Sequence, residues 1–133
     1  MAPWLTTMIL FASAQTISGS VTFLESKDDY EQALKDPKVV IYFTASWCST
    51  CKRIEPILKQ HAEECPQIKF FKVDIDDNNE VSEAEEIRAM PTTKFYLDGS
   101  VKDDLTIKGV NRKRLKKNVQ RLDDLKSQTG IIE

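Results

Sequence analysis

The sequence predicts an α/β fold with three layers, a central mixed sheet flanked by helices on both faces. Three observations carry this. Residues 39–43 form an unbroken β-branched and aromatic run, which marks a strand buried on both faces. Strand-like segments alternate with segments of helical periodicity along most of the chain. Asp98-Gly99 then separates two late apolar runs, which makes the last strand pair antiparallel.

The elements follow in order. Residues 21–24 make a short strand. Ser26 opens a helix, with Asp29 three residues on as a capping signal, and the helix stops before Pro37. The buried strand 39–43 comes next. A helix from about Cys48 to Glu64 carries Ile54, Ile57, Leu58, His61 and Ala62 at helical spacing, with Pro56 inside it as a kink. Residues 68–75 are a strand. Asn78 or Asn79 caps a short helix through Val81, Ala84 and Ile87. Residues 92–97 and 105–107 are the hairpin strands. Leu115, Val119, Leu122 and Leu125 form one stripe on a last helix capped by Asn111.

The chain has 133 residues, enough for one domain with its own core. It is 41% hydrophobic and 30% charged, which argues against wholesale disorder. A net charge of −2 is not that of a generally basic nucleic-acid binder. Three cysteines are too few, and odd in number, for a disulfide scaffold. No apolar run is long enough for a membrane-spanning helix.

Residues 1–24 contain no charged side chain. Residues 4–12 are mostly apolar and lead into Ala12-Ser13-Ala14, the small-x-small form of a signal-peptidase site. Residues 1–20 are thus an uncharged N-terminal extension, read either as a signal peptide cleaved after Ala14 or as a loosely packed arm. The n-region lacks Lys and Arg, and threonines interrupt the apolar stretch. Residues 21–126 form the domain and 127–133 a C-terminal tail. The expected location is cytoplasmic, or secreted where residues 1–14 act as a signal.

Trp47-Cys48-Ser49-Thr50-Cys51-Lys52 lies between the buried strand and its following helix. Cysteines three apart at a helix start can close a small disulfide loop. Cys48 falls near the first turn, where free N–H groups and the helix dipole favour a thiolate, the form that attacks a disulfide. Cys51 lies one turn in, placed to attack a mixed disulfide and release product. The spacing alone also fits half of a zinc site or chance. Zinc would have to draw on Cys48, Cys51, His61 and Cys65. On one helix the 13 residues from Cys48 to His61 span roughly 20 Å, too far for one metal.

Residues 21–125 resemble the thioredoxin family. The likeness rests on Trp47-Cys48-x-x-Cys51-Lys52, on Pro56 five residues after the second cysteine, on the strand 71–76, on Met90-Pro91-Thr92, and on Asp98-Gly99 and Gly109. It implies the thioredoxin fold and a thiol–disulfide oxidoreductase that reduces protein disulfides. Cys48 would be the nucleophile and Cys51 the resolving thiol, with no metal and no organic cofactor. It further implies a cis Pro91, Met90 and Thr92 offering backbone groups to an extended substrate, Trp47 as a flat exposed wall, and Gly109 beside the site. The partners implied are disulfide-containing proteins and a thioredoxin reductase or other dithiol donor. Nucleic acid is not among them, nor a membrane once any signal is removed. The chain is expected to be a monomer.

Two departures from the family pattern stand out. Ser49-Thr50 replaces the usual Gly-Pro between the cysteines. Thr50 thereby returns a backbone N–H that can stabilise the Cys48 thiolate, which makes the pair more oxidising. Tyr42 stands where the family usually buries an aspartate, leaving Lys72 without its acid and mixed-disulfide resolution slower. Two other roles stand beside this one: a secretory disulfide oxidase or isomerase, which a true signal peptide and Ser49-Thr50 would fit, or a redox-switched binding module, against which the retention of both cysteines argues. The C-terminus Gly130-Ile131-Ile132-Glu133 is not an ER-retention signal of the K-D-E-L kind.

Other residues read more plainly. Cys65 is expected to be a small buried or half-buried residue near a helix end rather than a regulatory or dimer-forming thiol, and His61 a helix-face residue rather than a catalyst. Residues 74–86 hold seven acids and no base, whereas residues 108–126 hold eight bases and two acids. Such blocks could steer charged partners, and Lys113-Arg114-Leu115-Lys116-Lys117 superficially resembles a nuclear-localisation or nucleic-acid patch, but the basic block reads first as a solvated helix face.

Overall fold

A computed structural model describes residues 19–128. The signal-peptide reading falls on residues 1–18, outside the described residues, as does the end of the tail. The elements run β1 (Val21–Phe23), α1 (Lys27–Ala33), β2 (Lys38–Thr44), α2 (Ser49–Glu64), β3 (Lys69–Asp74), α3 (Asn79–Ala84), β4 (Thr92–Leu97), β5 (Ser100–Val101), a 3₁₀ turn (Asp103–Leu105), β6 (Ile107–Lys108) and α4 (Arg112–Asp124).

Six strands make one mixed sheet in the order β1-β3-β2-β4-β5, with β6 also on β4. β1, β3 and β2 are parallel, and β4 is antiparallel to β2, β5 and β6. β2 is buried along its whole length, as its continuous apolar run predicts. Its side chains alternate between two cores. Val40 and Tyr42 join Ile54, Leu58, Leu115, Val119 and Leu122 beneath α2 and α4. Val39, Ile41 and Phe43 join Leu24, Ala33, Val81 and Tyr96 beneath α1 and α3. Each fully buried Val, Ile, Leu or Phe removes enough apolar surface from water to contribute roughly 1.5–3 kcal/mol.

Local chemistry sets the helix ends. The Asp29 N–H donates to Ser26 Oγ at 3.1 Å, and the Glu25 N–H to Asp29 Oδ2 at 3.0 Å, which starts α1. Asn111 Oδ1 caps α4 by accepting from the Arg114 N–H at 2.9 Å.

Three expectations need correction. Leu105 lies in the 3₁₀ turn, and only Ile107–Lys108 is extended. Leu105 is buried, so its apolar character reports core contact rather than a strand. The strand that follows the turn is Ser100–Val101, and Asp98 and Gly99 both have positive φ (51° and 85°), as a tight hairpin turn requires. The helix expected through Ile87 ends at Ala84. Glu86 adopts φ 55° and the Ile87 N–H reaches back to Ser82 O at 3.0 Å, a Schellman-type end without glycine. Asn78 precedes α3 but does not cap it with its side chain. Its amide is drawn into the core, where it donates to Leu24 O at 3.1 Å.

Candidate active site

β2 delivers the site. Its C-terminal end leads through Ala45 to Trp47 and Cys48, where α2 begins, and the Cys48 N–H donates to Ala45 O at 3.1 Å. Cys48 is the N-cap of α2, and its Sγ accepts from the Cys51 N–H at 3.2 Å. Cys48 and Cys51 are joined by a disulfide, with Cα atoms 5.3 Å apart. Cys48 is 6% exposed and Cys51 is fully buried, so the residue expected to be open is itself largely covered.

The donors around Cys48 differ from those expected of Thr50. A backbone donor to Cys48 Sγ is the amide of Cys51, and Thr50 brings its hydroxyl to 3.4 Å from that sulfur. Both converge where a reduced Cys48 carries its charge. Ser49 and Thr50 are exposed in the first turn of α2.

Trp47 is 63% exposed beside Cys48, and its indole N–H donates to Asp76 Oδ2 at 2.9 Å. That bond fixes the ring as a wall. Asp76 was not singled out in the sequence, because its role depends on the end of β3 lying beside the end of β2.

The Met90–Pro91 peptide is cis. Met90 is half-buried, while Pro91 and Thr92 are buried. Thr92 is already a sheet residue, paired with Phe43 on one side and Lys108 on the other. Its hydroxyl donates to Ala89 O at 2.7 Å and closes the loop on itself. The Gly109 N–H donates to Pro91 O at 2.7 Å. Gly109 has φ 90°, the left-handed region that favours glycine. A Cβ there would meet nothing within 4 Å, so conformation and not space selects the residue. Val110 follows it, 48% exposed. Glu85 anchors the other end of the loop, with its side chain accepting from Tyr96 Oη at 3.1 Å and from Lys94 Nζ at 3.2 Å.

Tyr42 lies fully buried below the cysteines and donates its hydroxyl to Cys51 O at 2.7 Å. Burial, and next the charge of Glu55, push its phenol far above the ordinary value, so it is a donor and not a base. Lys72 is the cross-strand neighbour of Tyr42. The expectation that it lacks an acid is wrong: Lys72 Nζ lies 3.2 Å from Glu55 Oε1 and 4.4 Å above the Phe23 ring. The acid comes from α2 rather than β2. The signal was available in the sequence, since Glu55 is four residues after Cys51 and shares its helix face.

Cys65 is buried at the end of α2 without a disulfide, and burial raises its thiol pKa. His61 is buried too. Both sit far along α2 from the cysteine pair, as expected.

A family model described as thioredoxin matches residues 21–121. A thioredoxin of Geodia cydonium is 50% identical over 105 residues, covering 74% of this chain and 98% of that protein. Thioredoxin H4-2 of Oryza sativa subsp. japonica is 39% identical over 111 residues, covering 80% of this chain and 83% of its own. A solved structure of Plasmodium falciparum thioredoxin superposes with a TM-score of 0.72 at 34% identity, covering 75% of this chain and 97% of that one.

Proposed function

The chain belongs to the thioredoxin family and is a thiol–disulfide oxidoreductase, and on that premise we propose that Cys48 attacks the substrate disulfide and Cys51 resolves the intermediate. The observation that carries this assignment is the difference in access: Cys48 retains an opening to solvent and Cys51 has none.

The reduced pair begins with Cys48 as a thiolate. It attacks one substrate sulfur, the substrate S–S bond breaks, and the released substrate thiolate takes a proton. Cys51 then gives up its proton and attacks Cys48 Sγ. The Cys48–Cys51 disulfide forms and the second substrate thiol leaves, so two electrons have passed to the substrate. Helix-end N–H groups and the Thr50 hydroxyl favour the attacking charge. Trp47, Met90 and Val110 offer the apolar contact, and Met90, just before the cis Pro91, offers backbone groups to an extended substrate, whereas Thr92 is held in the sheet on both sides. Tyr42 holds the first turn of α2 through Cys51, and Glu55–Lys72 sets the charge beneath it.

Disulfide-containing proteins are the substrates of such a chain, and a reductase or other dithiol donor restores the thiols. The working unit is a monomer with its domain at residues 21–126, flanked by extensions at 1–20 and 127–133.

The test is trapping. Cys51→Ser should accumulate a mixed disulfide with a reducible protein, whereas Cys48→Ser should form none. Trapping by Cys48→Ser alone would reverse the assignment.

A further inference from the structure

The first turn of α4 is electrostatically costly. Arg112, Lys113 and Arg114 occupy it, with no acid to oppose the positive end of the helix dipole. Helices that merely need a solvated face do better with acids at that end. Yet the whole chain carries a net charge of −2, so these cations are a local concentration and not a general excess.

Lys113 and Arg114 line a groove of about 670 Å³ together with Lys117 and Arg121. Asp104 is the acid in its wall, and it lies 3.4 Å from Arg121. Lys113, Arg114 and Lys117 extend into solvent. The groove lies next to the Pro91 loop: Asn111 lines both it and the small internal cavity behind Pro91 and Gly109. Asn111 also caps α4, so the entrance of the groove is fixed relative to the loop that meets substrate.

We infer that this groove is an extension of the substrate site and takes an acidic segment flanking the substrate disulfide. The inference rests on the dithiol reading above, because it assigns a substrate class to that same site. Carboxylates on one flank of the disulfide meet Lys113, Arg114 and Lys117, while the disulfide itself lies between Trp47 and Pro91. Long-range attraction raises the encounter rate, and the contact along α4 sets which way the segment lies.

The experiment compares three disulfide peptides with acidic, neutral and basic flanks, reduced by the full chain at low and high salt. The acidic peptide should show a kcat/KM roughly tenfold above the neutral one at low salt, with the advantage lost at high salt. In Lys113→Glu/Arg114→Glu/Lys117→Glu the preference should invert, with the neutral peptide reduced as before. Equal rates for all three peptides in the unaltered chain overturn the inference, and need no variant. Retention of single-stranded DNA by the groove, without any flank effect on reduction, also overturns it and gives the groove to nucleic acid. Failure to reduce even the neutral peptide overturns the dithiol reading instead, and this inference with it.

Discussion

Tyr42 donates its hydroxyl to the backbone carbonyl of Cys51 at 2.7 Å, tying the centre of the sheet to the first turn of the helix that carries both cysteines. The phenol is fully buried and its ionisation is pushed far out of reach, so it acts by holding and not by moving a proton. Tyr42→Phe should therefore cost about 1–2 kcal/mol of stability in denaturant unfolding. The pH profile of mixed-disulfide resolution should not move. A shifted profile would show that the phenol takes part in proton transfer.

Glu55 and Lys72 form a part-buried pair, their side chains 32% and 16% exposed. Exposed pairs contribute about 0–1 kcal/mol, and breaking a fully buried one costs about 3–5 kcal/mol. A double-mutant cycle of Glu55→Gln and Lys72→Gln should give a coupling of about 1 kcal/mol, nearer the exposed limit because solvent reaches both groups. Zero coupling sinks the idea that Glu55 supplies the acid that Tyr42 does not.

Thr50 acts on the cysteine pair through its hydroxyl, 3.4 Å from Cys48 Sγ. Stabilising the reduced form raises the potential, so removing the hydroxyl should lower it. Thr50→Val should be more reducing by about 10–20 mV, taking about 0.5–1 kcal/mol for the hydrogen bond and 30 mV per 1.4 kcal/mol. It should also raise the Cys48 thiol pKa, read from thiolate absorbance. Thr50→Ser should restore both. Equal potentials for Val and Ser would assign the difference from Gly-Pro relatives to the backbone instead.

His61 makes stability depend on pH. Burial lowers its pKa, the Glu64 carboxylate at 3.7 Å opposes that, and the Lys116 charge adds to the lowering. Its Nε2 is buried without a hydrogen-bond partner. The folded pKa thus lies below the unfolded value of about 6.5, and the unfolded chain binds more protons between the two. The contribution is complete above the unfolded pKa and is lost as pH falls through the folded one. The stability difference between the unaltered chain and His61→Gln should therefore shrink on acidification from about pH 7 to about pH 5. Parallel stability curves for the two chains contradict the shift.

Much of the site was legible because its signals are local. The Cys48–Cys51 spacing, the strand before it and the helix after it follow from residue order and periodicity alone. Ser26 and Asn111 act on backbone groups three residues away, so their caps could be placed from the sequence. The element boundaries at Leu105 and Ile87, and the side-chain partner of Asn78, differ from the sequence reading for one reason. Each is an apolar or capping residue whose partner lies elsewhere in the chain, and a short window cannot tell core contact from membership of an element.

The sequence by itself determined the α/β order, the doubly buried β2 and the place of the cysteine pair between a strand and a helix, since these depend on side-chain type and spacing within a few residues. Only the tertiary structure decided what surrounds the pair. Asp76 meets Trp47 across 29 residues, and Glu55 meets Lys72 across 17. Asn111 lines both a cationic groove and the cavity behind Pro91 because β6 returns beside β4. Such contacts arise from the register of strands distant in sequence, and hydrogen bonds and charges act over ångströms of space rather than positions of chain.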